Sequence, residues 1–317
     1  MRTTYKGQQL PTHPAAVRER HEQMVQAVGA RSRFVTRPSG RRVHVIESGD
    51  GPPVVQLHGN NTSSLSHLML LEELPGVRSY LVDRPGFGLS EPDDFPRARF
   101  RQDIVGFLDE VLDALEVGPT VLLGASGGGV VATWYTLDRP ERVRGLVMLG
   151  SVPLLPGARI PLGLRLMATP GVGNVLRRAM RPDRRVMLRL LTTMGEGDTI
   201  MRHPDLLDSL VDAARDPIAQ DANAAELRAF LSLLGVRPGT RIRPEELRRI
   251  TRPTLMIWGD HDPVVSVEAA RSVALLIPDA RLELLPAGHV PQLGHPRRVA
   301  EHVVEFAHDM GRSFGLP

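Results

Sequence analysis

The chain has 317 residues, 42% of them hydrophobic and 24% charged, a balance that excludes wholesale disorder and allows one large domain or a domain carrying an insertion. The absence of cysteine excludes a disulfide framework, a zinc–thiolate centre and a thiol nucleophile. The net charge is +3 and Lys6 is the only lysine, so nearly all of the 39 basic residues are arginines, interspersed with 36 carboxylates.

That dispersal argues against a nucleic-acid partner. A phosphate-tracking groove needs a sustained basic stripe with aromatic stacking platforms. Here aromatics are 4%, and the densest basic cluster, Arg177, Arg178, Arg181, Arg184 and Arg185, is short. No run of about 18 apolar residues predicts a membrane span. The opening residues lack the apolar segment of a secretion signal, so a cytoplasmic location is expected.

Residues 15–29 place Val17, Met24, Val25 and Val28 at helical spacing, predicting an amphipathic helix within an N-terminal extension, 1–32. It is expected to pack against its own domain rather than over an active site or partner surface. From residue 33 the pattern alternates strand and helix, which points to an α/β fold with a doubly wound, mostly parallel sheet. Residues 34–36 and 42–47 flank Ser39-Gly40 as an opening hairpin. The apolar runs 54–57 and 77–82 read as buried parallel strands. Residues 100–117 align Ile104, Phe107, Leu108, Val111, Leu112 and Leu115 on one helical face. A strand at 120–123, a glycine-rich turn, a helix at 130–137 and a strand at 143–149 follow.

The rhythm then breaks. Residues 153–244 show no strand pattern, only helix-length pieces rich in Leu, Met, Arg and Pro. Strands at 254–258 and 281–285, with helices at 267–276 and 297–311, resume the beat. The expected organisation is therefore an α/β core, 33–152 and 245–317, interrupted by a helical cap, 153–244.

The chemistry centres on Gly124-Ala125-Ser126-Gly127-Gly128, a G-x-S-x-G turn between an apolar strand and a helix. Alone the string is a weak signal, because a glycine-rich turn with a capping serine would read the same. A serine hydroxyl at neutral pH needs an adjacent base, and the base needs an orienting carboxylate. Gly259-Asp260-His261-Asp262 follows one late strand and Gly288-His289 follows the last. The order Ser126, acid, His289 then matches a nucleophile–acid–base triad spread over successive strand ends.

With Leu57-His58-Gly59-Asn60 and Asp83-Arg84-Pro85-Gly86-Phe87-Gly88-Leu89-Ser90, these motifs resemble the α/β-hydrolases, specifically capped single-chain members related to esterases and meta-cleavage hydrolases. The resemblance covers 43–152 and 253–311, leaving the cap and the first thirty residues unmatched. It implies Ser126 as nucleophile, His289 as base and Asp262, rather than Asp260, as the orienting acid. It further implies an oxyanion hole from the backbone N–H groups of Asn60 and Gly127. The family often has Phe-Pro or glycines after His-Gly, so Asn60-Asn61 is a departure; its side chain either donates to a substrate oxygen or caps the helical region 63–74.

A serine at the elbow points away from haloalkane dehalogenases and epoxide hydrolases, which resemble this chain but carry aspartate there. The Ser-Gly-Pro-Gly loop of the meta-cleavage relatives is also missing. What remains is an ester or lactone hydrolase working through an acyl-enzyme on a small, largely apolar substrate, with no metal or cofactor expected. Carbon–carbon bond hydrolysis, perhydrolysis, lyase chemistry and a slow-turnover receptor stay open as alternatives. His261 lacks any metal-site spacing, and His58, His67, His203 and His295 carry no chemical signal. Trp134 and the cap methionines Met167, Met180, Met187, Met194 and Met201 are candidates for an apolar lining.

Overall fold

The computed structural model describes residues 13–179 and 182–313. The first part of the N-terminal extension, Met180 and Arg181 lie outside the described residues. Strands β1 (Arg31–Thr36) and β2 (Arg42–Ser48) form an antiparallel hairpin, closed by a Gly40 N–H bond to the Arg37 carbonyl at 2.8 Å. Strands β3 (Pro53–Leu57), β4 (Arg78–Val82), β5 (Thr120–Ala125) and β6 (Val143–Leu149) follow. A two-stranded hairpin, β7 (Leu231–Ser232) and β8 (Gly235–Val236), belongs to the inserted segment. Strands β9 (Thr254–Gly259) and β10 (Ala280–Leu285) complete an eight-stranded sheet of order β1-β2-β4-β3-β5-β6-β9-β10. β2 runs antiparallel to β4, and every pairing from β4 to β10 is parallel.

The central strands read as unbroken apolar runs because helices cover both faces. All six residues of β5 and of β9 are buried. One face carries the helices Phe100–Ala114 and Gly127–Asp138, with Ile104, Leu108, Val111 and Trp134 in the core. The opposite face carries Leu70 and Leu74 together with Val299, Val303 and Phe306 of the helix Pro296–Ser313. Each such fully buried side chain stabilises the fold by about 1.5–3 kcal/mol relative to exposure. The first of these helices stops short of the predicted residue 117 because Glu116 turns left-handed, at φ 57°.

Chain order places the site. β3 pairs with β4 on one side and with β5 on the other, so connections leave in opposite directions between β3 and β5. Such a switch point opens a crevice at the carboxyl ends of the strands. His58-Gly59-Asn60 leaves β3 there, and Ser126 leaves β5.

The segment after β6 is mainly helical, with helices Leu162–Ala168, Val172–Ala179, Arg184–Thr193, Gly197–Met201, Pro204–Arg215 and Pro217–Phe230. The strand-free expectation for it is corrected by the β7–β8 hairpin. Strands of two residues are too short to leave a period-two pattern, and Gly235, directly after the turn, takes a positive φ of 110°. The N-terminal helix Ala15–Ala27 buries His21 and Val25 against the core. Its Arg20 also bonds Asp212 of the inserted segment at 2.6 Å, so it straddles both layers. No helix among the described residues is long and apolar enough to cross a membrane.

Candidate active site

Ser126 sits at the end of β5 with φ 49° and ψ −115°, a left-handed conformation strained for any residue with a side chain. The helix Gly127–Asp138 begins at the next residue. Glycine is required behind the turn: a Cβ on Gly128 would lie 2.2 Å from the Leu57 carbonyl oxygen. The sharp turn presents the hydroxyl above the sheet.

The Ser126 Oγ lies 3.0 Å from His289 Nε2, on the loop after β10. The other ring nitrogen, Nδ1, lies 3.1 Å from Asp262 Oδ2, on the loop after β9. Asp262 Oδ1 accepts the Val264 N–H at 2.8 Å. Burial alone would raise the Asp262 carboxyl, but the His289 hydrogen bond and charge, with the Val264 and Ser151 bonds, hold it below the usual carboxylate range. It is therefore an anion aimed at the imidazole. Asp260 faces the other way and pairs with the exposed His261 at 2.5 Å.

Ser151, which sequence reasoning did not single out, joins this chain. Its hydroxyl lies 3.0 Å from Asp262 Oδ1 and 2.9 Å from His289 Nδ1, while its amide donates to Asp262 Oδ2 at 3.0 Å. With the hydroxyl donating to Asp262, its oxygen accepts the His289 Nδ1–H alongside the carboxylate. The only sequence signal was its place two residues beyond the end of β6, at the edge common to the catalytic loops.

The loop after β3 packs close to the turn: a Cβ on Gly59 would lie 3.4 Å from the Ser126 Cβ, and one on Gly127 would lie 1.9 Å from Asn60 Oδ1. The Asn60 side chain does not cap the helical region after β3. Its Nδ2 donates to Glu226 Oε2 at 2.7 Å, and Ser63 is the residue that caps the short helical turn Ser64–His67. Glu226 also pairs with Arg84, whose remaining donors hold the carbonyls of His58 at 3.1 Å and Gly59 at 2.8 Å. Burial pushes the Glu226 carboxyl up even with Arg84 beside it, the cost of a buried ion pair. His58 braces the same loop: its Nε2 accepts the Arg84 N–H at 3.0 Å, and burial followed by the Arg84 charge lowers its pKa to about 3.

Above Ser126 and His289 lies a cavity of about 400 Å³. Its roof is apolar and comes from the inserted segment, with Leu164, Met167, Met187, Leu190, Met194 and Leu206 among the lining residues. Trp134 is instead fully buried in the core against Phe230, and Met201 faces solvent. Arg177 also lines the cavity, tied to Asp221 at 2.9 Å and Asn174 at 2.8 Å. His67 is buried against Gln56, and His295 Nε2 meets the Pro286 carbonyl at 2.8 Å.

A strained serine between strand and helix, facing an imidazole and a carboxylate carried by two later strands, is the arrangement of a serine hydrolase fold. The sequence pattern of the alpha/beta hydrolase family matches residues 54–302, and the chain belongs to that family. It is 30% identical over 292 residues to 2-hydroxy-6-oxononadienedioate/2-hydroxy-6-oxononatrienedioate hydrolase of Cupriavidus pinatubonensis, spanning 87% of this chain and 94% of that protein. It is 31% identical over 267 residues to pimeloyl-(acyl-carrier protein) methyl ester esterase of Xanthomonas oryzae pv. oryzae, spanning 83% and 98%. Among solved structures, naproxen esterase (carboxylesterase NP) from Bacillus subtilis superposes with a TM-score of 0.70 at 22% identity, covering 92% of this chain and 99% of that one. At that identity the likeness shows the fold.

Proposed function

We propose that this chain is a serine hydrolase that cleaves an ester or lactone of a small, largely apolar substrate through an acyl-enzyme. The observation that carries the reading is the continuous path Ser126 Oγ, His289 Nε2, His289 Nδ1, Asp262 Oδ2, with links of 3.0 and 3.1 Å, at the floor of an apolar cavity. Ser126 attacks the carbonyl while His289 takes its proton, and Asp262 holds the ring in the required tautomer and stabilises the imidazolium. The backbone N–H groups of Asn60 and Gly127 are assigned to the developing oxyanion. His289 then protonates the leaving alcohol and activates the water that releases the acid. These side chains and water suffice for every step.

Residues 153–244 act as a cap over a core made of 33–152 and 245–317, with 1–32 as an extension. The mixed lining of the cavity, cap above and triad below, supports that division. The cap shields the acyl-enzyme from bulk water. The reading includes a small-molecule substrate, no nucleic-acid partner and a cytoplasmic location. A methyl ester esterase and a 2-hydroxy-6-oxononadienedioate hydrolase both occur among the names of the relatives. The apolar roof and the Asn60-Asn61 loop favour the ester reading.

The deciding experiment is fluorophosphonate labelling followed by turnover of p-nitrophenyl esters of graded acyl length, with Ser126→Ala as control. Labelling and turnover, both lost in the variant, are expected. Labelling without turnover would make the chain a receptor. Turnover confined to vinylogous diketones would favour carbon–carbon cleavage.

A further inference from the structure

Glu196 belongs to the inserted segment, at the turn between the helices Arg184–Thr193 and Gly197–Met201, yet its carboxyl reaches the histidine loop. Oε1 accepts the backbone N–H of Gly288 at 3.1 Å and that of Val290 at 3.3 Å, the two amides flanking His289. The His289 amide itself donates to the Met194 carbonyl at 2.8 Å. Three consecutive amides of the loop thus end on a single cap turn. The turns meet backbone to backbone. A Cβ on Gly288 would lie 2.0 Å from the Met194 oxygen, and one on Gly195 (φ 84°) would lie 2.8 Å from the Gly288 Cα.

The Glu196 side chain is expensive to keep where it is. It is 2% exposed, and burial drives its carboxyl up to about 7 despite the two amide bonds and the neighbouring His289. Among the described residues, both of its side-chain hydrogen bonds leave the cap and none serves the cap's own fold. The recipient is the connection between β10 and the short helix Pro291–Gly294, where no strand ladder holds the amides of 288–290.

We propose that Glu196 is a positioning residue for the general base, a hook by which the cap holds the His289 loop so that Nε2 meets Ser126 Oγ. The inference rests on the reading of His289 as that base. Displacing a reacting group by about 1 Å can cost on the order of a hundredfold in rate, so a loop freed of its anchors would slow the chemistry rather than weaken binding. The base is then in register only while the cap is seated.

The test measures kcat and KM for a short p-nitrophenyl ester, with thermal unfolding of each protein, in wild type, Glu196→Gln and Glu196→Ala. Glutamine keeps a carbonyl oxygen for both amides and alanine keeps none. Glu196→Gln should stay within about threefold of wild-type kcat, whereas Glu196→Ala should lose roughly 30- to 100-fold in kcat with KM moved less than about threefold. Gly195→Ala, which leaves the carboxyl in place but wedges the two turns apart, should lower kcat in the same way and decides the matter if Glu196→Ala does not fold. Wild-type kcat in Glu196→Ala, equal losses in the Gln and Ala variants, or an unaffected Gly195→Ala would each overturn the proposal. A wild-type protein that neither hydrolyses esters nor is labelled at Ser126 would remove the hydrolase reading, and this inference with it. An active, labelled wild type beside an unaffected Glu196→Ala would remove the inference alone.

Discussion

The side-chain amide of Asn60 donates to Glu226 Oε2 at 2.7 Å, tying the loop after β3 to a helix 166 residues further along the chain. The other oxygen of Glu226 faces Arg84, which grips the carbonyls of His58 and Gly59. The loop assigned to the oxyanion is thereby held through a buried charge pair. Glu226→Ala would leave the Arg84 charge buried without its partner, so urea unfolding should register a loss of about 3–5 kcal/mol. A loss below about 1 kcal/mol would show that the pair carries no weight in the fold.

Ser126→Ala should unfold like wild type, because the hydroxyl is not part of the core, and should lower kcat by at least about a thousandfold. Steady-state turnover at saturating ester checks this. Retention of more than about a tenth of the wild-type rate would remove Ser126 from the nucleophile's role.

The two aspartates of the acid turn are separable. Asp262→Asn should cost on the order of 10⁴ in kcat by favouring the wrong histidine tautomer, whereas Asp260→Asn, on the outer face of the loop, should change kcat less than about twofold. Ser151→Ala removes one hydrogen bond from each of Asp262 and His289 and should cost about tenfold, the worth of roughly 1–1.5 kcal/mol. Equal effects of the two aspartate changes would contradict the geometry.

Stability should depend on pH through the buried histidines. Burial, then the Arg84 charge, lowers His58 to about 3, and burial lowers His67 to about 4. The unfolded chain takes up these protons near pH 6.5 while the folded one refuses them. Their neutral forms are therefore tolerated in full above about pH 6.5, and stability drains away as pH falls from there towards 3–4, by up to about 1.4 kcal/mol per group per pH unit. Glu196 acts in the opposite sense. Its folded pKa is raised to about 7, so the folded state holds the extra proton between roughly pH 4.5 and 7 and loses that advantage as pH rises through 7. Melting curves of wild type and Glu196→Gln should show the variant gaining relative to wild type between pH 5 and pH 8.5. A difference independent of pH would count against a raised Glu196.

What the sequence alone determined is the part written in local backbone chemistry. The apolar runs of β3, β5, β6 and β9 and the helical stripe from Ile104 to Leu112 are legible because period and burial coincide over consecutive residues. The turn at Ser126 is legible because only glycines allow its close approach to β3. The acid and histidine turns stand out because each directly follows a strand. Boundaries shifted at element ends that no residue pattern marks, as where β1 begins at Arg31 rather than 34, the helix after Ser126 begins at Gly127 rather than 130 and the helix from Phe100 stops short of 117, while strands of two residues leave no pattern at all, as in β7–β8.

Tertiary structure decided everything that depends on residues meeting across the chain. Ser151 reaches Asp262 over a separation of 111 residues, Glu196 reaches Gly288 over 92, and Glu226 reaches Asn60 over 166. Each is an ordinary polar residue in its own neighbourhood, with no periodicity, turn signal or spacing to mark it. The carboxylates among them acquire meaning only because the cap settles on the carboxyl ends of the strands and excludes water from them. Burial then makes an unpartnered carboxyl too costly to keep, and the partners they find lie on the loops around the site: the amides of Gly288 and Val290 for Glu196, and Arg84 with the Asn60 side-chain amide for Glu226. Sequence carries which groups are present and how each segment folds locally; distance and desolvation, which set what those groups do to one another, exist only once the chain has closed.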